Sequence, residues 1–216
     1  MRVIITGGTG MIGRALAAEL AGAGYEVIVL SRNPARATDL PAGVRAERWD
    51  GRTAAGWGGL ADGALAIVNL AGENLSGGRF PPARWTPERK ALIRSSRLDA
   101  GAAVTEAVTA ATTKPRVVIQ SSGIGHYGAR DDKVLTETDP PGDDFLARLT
   151  VEWEASTAAV ADQGVRHVSI RTGVVLSPDE GALKQLLLPF KFYVGGPMGG
   201  GRQGFSWIHP ADEVAA

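Results

Sequence analysis

Short apolar runs and stretches of helical period alternate along the whole chain. Val3, Ile4 and Ile5 form a β-type run, after which Ile12, Leu16 and Leu20 recur at helical spacing. Glu26–Leu30 (EVIVL) predicts a second strand, Arg45–Trp49 a weaker third and Ala64–Asn69 (ALAIVN) a fourth. A long helix is expected to start near Pro87, because proline suits a first helical turn, and to run to Thr112. Arg116–Gln120 (RVVIQ) predicts a fifth strand, Phe145–Gln163 a helix and His167–Arg171 a sixth strand. The Val and Ile runs show little alternation, as in strands covered on both faces. Strand and helix in turn predict an α/β fold with a doubly wound parallel sheet. Neither an internal repeat nor a low-complexity linker interrupts the pattern.

The first apolar run breaks straight into Gly7, Gly10 and Gly13. In that order Gly7 lets the chain reverse, Gly10 removes the side chain that would block a pyrophosphate, and Gly13 lets the next helix lie against the strand. The helix N-terminus then offers free backbone N–H groups to phosphates. Three glycines alone are a weak signal that a ligand-free turn also satisfies. The strand before them and the helix after them make the reading a dinucleotide site running through Gly7, Thr9, Gly10, Met11, Ile12 and Gly13. At the end of the second strand, where an acid would hold the ribose of NAD, the chain has Ser31, Arg32 and Asn33. A guanidinium there favours a 2′-phosphate, so NADP(H) is the expected cofactor; the alternative is a solvated loop charge.

Composition narrows the partners. Lys plus Arg equals Asp plus Glu at 23 each, so no global field draws the protein to nucleic acid or to an anionic membrane. The chain has no cysteine, which excludes disulfides, thiolate metal sites and thiol nucleophiles. No run approaches the roughly 18 apolar residues of a membrane span. The expectation is a cytoplasmic protein with a small-molecule substrate, no nucleic-acid or membrane partner, and room for a protein partner. No His, Asp or Glu cluster has metal-ligand spacing.

TGGTGMIG at the start, NLAGEN after the fourth strand, SSGIGHYG after the fifth and RTGVVLS after the sixth together resemble the extended, epimerase-like branch of the short-chain dehydrogenase/reductase superfamily. With the SSR at Ser95 to Arg97, WEA at Trp153 to Ala155 and FSWIHPAD at Phe205 to Asp212, the chain is similar to an atypical subgroup of epimerase family proteins and cell-division-inhibitor-like oxidoreductases. The resemblance covers the whole chain. It implies a Rossmann domain over 1–176 and a partial, truncated C-terminal substrate lobe over 177–216, since family members continue past the WIHPADEV segment. It also implies that Leu70 and Ala71 pass close to the cofactor, that Val174 lies near the nicotinamide, and that Ser122 is the catalytic serine; a shift of register by one residue moves that role to Gly123. Asn69 carries two readings, one at the cofactor and one as a tie between neighbouring backbones.

The superfamily's Tyr-x-x-x-Lys pair is the point of departure. Anchored on WEA, its positions fall on Leu146 and Thr150, and the helix offers only Arg148 as a base. Neither replacement supplies a phenol whose proton an ammonium makes available. The resemblance places Arg97 where other members use a helix-borne Asn, in contact with cofactor or an anionic substrate, or simply on a helix surface. His126 and His209 stand as acid–base candidates or as satisfied structural histidines, with Tyr127 beside the first. Glu73 and Asn74 read either as substrate contacts or as loop hydrogen bonding, and Trp153-Glu154 as packing plus a surface carboxylate. The glycine-rich 194–207 segment reads as a pocket wall. Two functions follow: an NADP(H)-dependent oxidoreductase or epimerase-like enzyme, and an NADP(H)-binding redox sensor without turnover.

Overall fold

The computed structural model describes residues 1–77, 82–130, 133–197 and 200–216. Strands β1 (Arg2–Thr6), β2 (Glu26–Ser31), β3 (Val44–Arg48), β4 (Ala66–Asn69), β5 (Val117–Gly123) and β6 (Arg166–Thr172) form one parallel sheet in the order β3-β2-β1-β4-β5-β6. Helices α1 (Met11–Gly22), α2 (Pro87–Ala110) and α3 (Phe145–Ala158) cover its faces. Beyond β6, the short strands β7 (Val174–Val175) and β8 (Trp207–Ile208) pair in parallel, with helices α4 (Gly181–Lys191) and α5 (Pro210–Ala215). Among the described residues no helix is long and apolar enough to cross a membrane.

The apolar runs are strands for the reason their composition suggests. Nearly every residue of β1, β2 and β4 is buried, because each strand has helix on both sides. On one face Ile4, Ile28, Ile67 and Val118 meet Ala100, Ala103, Val104 and Ala107 of α2. On the other, Val3, Ile5, Val27, Val29 and Val68 meet Leu16, Ala17 and Leu20 of α1. The alanines let α2 lie close to the sheet, and Gly101 lets α3 lie close to α2: a Cβ there would sit 1.9 Å from the Ser156 hydroxyl. α5, within the segment expected to belong to a second lobe, lies against α1.

Boundaries differ from the sequence reading in instructive ways. The third strand ends at Arg48, since Trp49 turns in to donate its N–H to the Ser31 carbonyl. α2 stops at Ala110 as Ala111 turns extended. α3 ends at Ala158, and Ala161–Gln163 forms a separate 3-10 turn closed by Gly164 at φ +78°. β5 runs past Gln120 to Gly123 because Ser121, Ser122 and Gly123 keep pairing with Ile170, Arg171 and Thr172 of β6. Unlike the central strands it does alternate, with Val118, Gln120 and Ser122 buried beneath the α2–α3 layer.

The strand order reverses at β1. The chain winds outward through β2 and β3 on one side and through β4, β5 and β6 on the other. The crevice beyond the C-terminal ends of β1 and β4 is therefore where a ligand has room between diverging loops.

Candidate functional site

The loop between β1 and α1 is shaped by contacts only glycine allows. Gly7 adopts φ +67°, and a Cβ there would lie 2.8 Å from the Leu70 carbonyl carbon. This close approach holds the loop after β1 against the loop after β4. A Cβ on Gly13 would lie 2.5 Å from the Cα of Gly8, so Gly13 sets the approach of helix to turn. Gly10 is different: a Cβ there would meet only the Gly7 carbonyl oxygen, at 3.3 Å, and otherwise open space. Gly10 is also the N-cap of α1 and makes no side-chain capping bond, leaving first-turn N–H groups for a ligand.

A groove of about 280 Å³ opens at this point. Gly7, Thr9, Gly10, Leu70 and Ala71 line one part of it, and Ser31 and Arg32 another. Seven residues singled out in the sequence are thus brought together at the switch point. Leu30, Trp49, Gly51, Gly72, Glu73 and Ser96 share the lining; no sequence pattern marks them as cofactor neighbours, and Glu73 reads there only as a substrate contact or loop hydrogen bond. The signal for Gly51 was a turn after the third strand: Asp50 accepts hydrogen bonds from the Arg52 and Thr53 N–H groups at 2.7 and 2.8 Å, and Gly51 takes φ +85°. The Arg32 stem lies against Gly51, where a Cβ would be 3.6 Å from its Cδ. Met11 instead sits beside Gly181, and Ile12 lines a hollow with Leu16, Ser121, Thr172 and Glu213. Val174 lines an apolar groove of about 800 Å³ with Ala182, Leu186, Pro189 and Phe205. The 194–207 wall forms part of that groove, with residues 198 and 199 outside the described ones.

Beneath the Leu70–Ala71 loop runs a row of buried hydrogen bonds. Thr6 Oγ1 accepts from the Ala71 N–H at 3.2 Å and donates to Asn69 Oδ1 at 2.6 Å. Asn69 Nδ2 donates to Gln120 Oε1 at 2.8 Å, and Thr157 Oγ1 donates to the same oxygen at 3.0 Å. With the threonine proton committed there, His167 presents Nε2–H to Thr157 Oγ1 at 2.9 Å. Asn69, fully buried, is therefore a tie between strands that seats the loop. Gln120→Leu is expected to leave the Asn69 amide and the Thr157 hydroxyl without their shared acceptor, costing about 1–3 kcal/mol for each group left unpaired. Urea denaturation checks this; an unchanged midpoint would show that the row contributes nothing.

Ser122 lies on the face of β5 turned toward α3, with 6% of its surface exposed. Its hydroxyl donates to Glu154 Oε1 at 2.6 Å. Arg171 Nε and Nη2 donate to the two oxygens of the same carboxylate at 2.8 and 2.9 Å, while its Nη1 reaches the Tyr127 hydroxyl at 2.9 Å and the Glu137 carbonyl at 3.0 Å. Glu154, expected as a surface carboxylate, is instead the centre of a sheltered network. Burial raises its pKa, but the hydrogen bonds from Arg171 and Ser122 outweigh that and hold it below the ordinary glutamate value. His126 Nδ1 stands 3.7 Å from Glu154 Oε1, too far for a hydrogen bond, and burial together with Arg171 lowers its pKa.

At the positions of the superfamily's pair, Leu146 lies against Gly125 and Thr150 donates its hydroxyl to the Ala147 carbonyl at 2.9 Å. His209 Nδ1 accepts from the Ala211 N–H at 3.2 Å and so caps α5. Asn74 Oδ1 accepts from the N–H and hydroxyl of Ser76, a loop hydrogen-bonding role. Arg97 is neither on the surface nor in the groove lining: it is buried behind Gly72.

Residues 3–216 match the sequence model of the NAD dependent epimerase/dehydratase family. The chloroplastic homolog of epimerase family protein SDR39U1 from Arabidopsis thaliana is 37% identical over 222 residues, which cover 99% of this chain and 60% of that protein. The crystal structure of human epimerase family protein SDR39U1 (isoform 2) with NADPH superposes with a TM-score of 0.83 at 38% identity, covering 98% of this chain and 67% of that one. A nucleoside-diphosphate sugar epimerase from Corynebacterium glutamicum gives a TM-score of 0.78 at 37% identity, over 99% and 42% of the respective chains. The chain spans 60% of the length of the plant relative and 67% of the human one.

Proposed function

Since the chain belongs to the NAD dependent epimerase/dehydratase family, we propose that it binds NADP(H) in the groove at the strand-order reversal and acts as an oxidoreductase or epimerase-like enzyme on a small molecule. The observation that carries this reading is the joint placement of the open Gly10 turn and Arg32 on one groove at the strand-order reversal. The residues fit the cofactor: Gly10 leaves a space that any Cβ would begin to fill, the uncapped α1 N-terminus offers N–H groups to the pyrophosphate, and the Arg32 fork suits a 2′-phosphate. The bound nicotinamide would supply hydride transfer. What the chain itself does is hold the cofactor along the loops after β1 and β4, with Thr6 and Asn69 fixing the second of them. The NADPH-bound human relative supports the choice of cofactor.

Calorimetry tests the reading. NADPH is expected to bind more tightly than NADH, and Arg32→Asp is expected to reduce that preference by an order of magnitude or more, a charged hydrogen bond being worth roughly 1.5–3 kcal/mol. Equal affinities for the two cofactors in the unaltered chain would remove Arg32 from cofactor choice.

One observation favours a second reading, an NADP(H)-binding sensor without turnover. Leu146 and Thr150 bring no proton donor toward the cleft, and the Ser122 hydroxyl is engaged by Glu154. Following nicotinamide absorbance with a panel of carbonyl compounds separates the two: oxidation of NADPH with any of them supports the enzyme, and tight binding without oxidation supports the sensor. Ser122→Ala discriminates further. The loss of one sheltered hydrogen bond lowers stability slightly in either case, whereas a fall in turnover at unchanged NADPH affinity requires the serine to leave Glu154 for substrate.

A further inference from the structure

A second hollow, of about 330 Å³, adjoins the cofactor groove and shares Arg32, Gly51, Glu73 and Ser96 with it. Arg52, on the turn after β3, and Asp99 of α2 belong to the rest of its lining. Two guanidiniums therefore border one space. Among the described residues Arg32 makes no hydrogen bond or ion pair. The Arg52 side chain is met there only by Asp99, whose Oδ2 stands 3.8 Å from Nε, with the two side chains 77% and 40% exposed. That distance is too long for a hydrogen bond, and an exposed pair of this kind is held weakly.

The other acids around the hollow are already engaged. Asp50 Oδ1 accepts from the Arg52 and Thr53 N–H groups, and its Oδ2 accepts from the Thr53 hydroxyl at 2.7 Å, so this carboxylate fixes the turn. The Glu73 carboxylate is engaged by Arg89 Nη1 at 2.8 Å. Asp99 is left as the acid that an arriving anion has to displace. The turn that carries Arg52 is also the one that packs on Arg32, through the contact of Gly51 with the Arg32 stem. The two arginines thus rise from adjoining loops held against each other. A phosphate has enough free oxygens to accept from two planar guanidiniums at once, whereas a ribose hydroxyl gains nothing from a second cation.

We infer that Arg52 is the second arm of a 2′-phosphate clamp, turning from Asp99 to join Arg32 on the phosphate when the cofactor lies in the groove. The inference rests on the proposed NADP(H) groove and adds to it a specificity-determining residue that acts on NADP(H) and not on NAD(H).

NADPH and NADH are titrated by calorimetry into the unaltered chain, Arg52→Gln and Arg32→Asp, and adenosine 2′,5′-bisphosphate and 5′-AMP into the first two. Arg52→Gln keeps the backbone N–H that Asp50 uses and replaces an exposed side chain, so the melting temperature is expected to stay where it is. The variant is expected to bind NADPH about tenfold more weakly at low ionic strength, the effect of losing a charge-assisted hydrogen bond, with the difference shrinking as salt is added. Its affinities for NADH and 5′-AMP are expected to be unchanged. Equal weakening of NADPH and NADH would mean that Arg52 serves the part common to both cofactors, and overturns the inference. A preference for NADPH that Arg32→Asp removes and Arg52→Gln leaves intact also overturns it, while the cofactor reading stands. If the unaltered chain binds neither dinucleotide, the cofactor reading falls and the bisphosphate decides. Binding tighter than that of 5′-AMP, lost in Arg52→Gln, keeps the clamp; equal binding of the two nucleotides overturns it.

Discussion

Gly10→Val is expected to abolish NADPH binding while leaving the fold in place. The backbone at Gly10 has φ −81° and ψ 173°, an extended conformation that valine adopts without strain. A Cβ there meets only the Gly7 carbonyl oxygen, a tight contact at 3.3 Å that a shift of a few tenths of an ångström in the turn relieves. The isopropyl group instead occupies the space that a pyrophosphate needs against the α1 N-terminus. Affinity is expected to fall by at least about 100-fold, or roughly 2.7 kcal/mol. Stability changes only by the modest difference between glycine and valine at an N-cap. Gly7→Val is the control with the opposite signature. Gly7 sits at φ +67° with the Leu70 backbone 2.8 Å from its missing Cβ, so valine there strains the turn and lowers the melting temperature. Calorimetry and thermal unfolding of the two variants check the pair, and normal NADPH binding by Gly10→Val would move the phosphate site elsewhere.

What the sequence revealed of this protein was whatever short-range pattern controls. The glycine spacing, the Val and Ile runs of the central strands and Pro87 at the start of α2 each state a local requirement, and each appears where expected. The reversal of strand order follows from right-handed crossovers once those elements are placed. Side chains whose partners lie far along the chain were less legible. Glu154 reads as a surface carboxylate on a helix, yet Ser122 and Arg171, 32 and 17 residues away, make it a sheltered hub. Arg97 carries two readings in the sequence, ligand contact and helix surface; its burial against Trp153 and behind Gly72 removes the second and depends on two other elements meeting there. Asn69 is a structural tie because β4 lies between β1 and β5, which sets Thr6, Asn69 and Gln120 in one row. Trp49 and Gly51 entered the groove because the turn after β3 folds back beside Arg32, a proximity that no periodicity encodes.

The Glu154 hub carries the largest expected effect on stability. Arg171→Met is expected to destabilise the protein by about 3 kcal/mol, the scale of breaking a sheltered ion pair by removing one partner. The Glu154 and Arg171 side chains are only 16% and 20% exposed, so water does not readily replace the lost guanidinium. Three further attachments go with it: the Tyr127 hydroxyl, the Glu137 carbonyl and the contact with the Tyr127 ring at 5.2 Å. The pH dependence identifies the charge as the cause. In the unaltered chain the folded-state pKa of Glu154 is depressed, so its contribution is present above the ordinary glutamate value of 4.5 and is lost as pH falls through the lower folded value. Without Arg171, burial dominates and raises the pKa, so the carboxylate opposes folding at neutral pH and ceases to do so once protonated. The stability gap between the two proteins is therefore widest near pH 7 and closes as pH drops below about 4. His126 adds to the acid sensitivity of the unaltered chain: its depressed pKa favours the folded state above 6.5, and this benefit is lost as pH falls through the lower folded value. Urea denaturation of both proteins across pH 3.5 to 7.5, roughly the window these shifts span, tests the argument. A gap that stays constant over that range would mean that Arg171 acts by packing against Tyr127 and not through the Glu154 carboxylate.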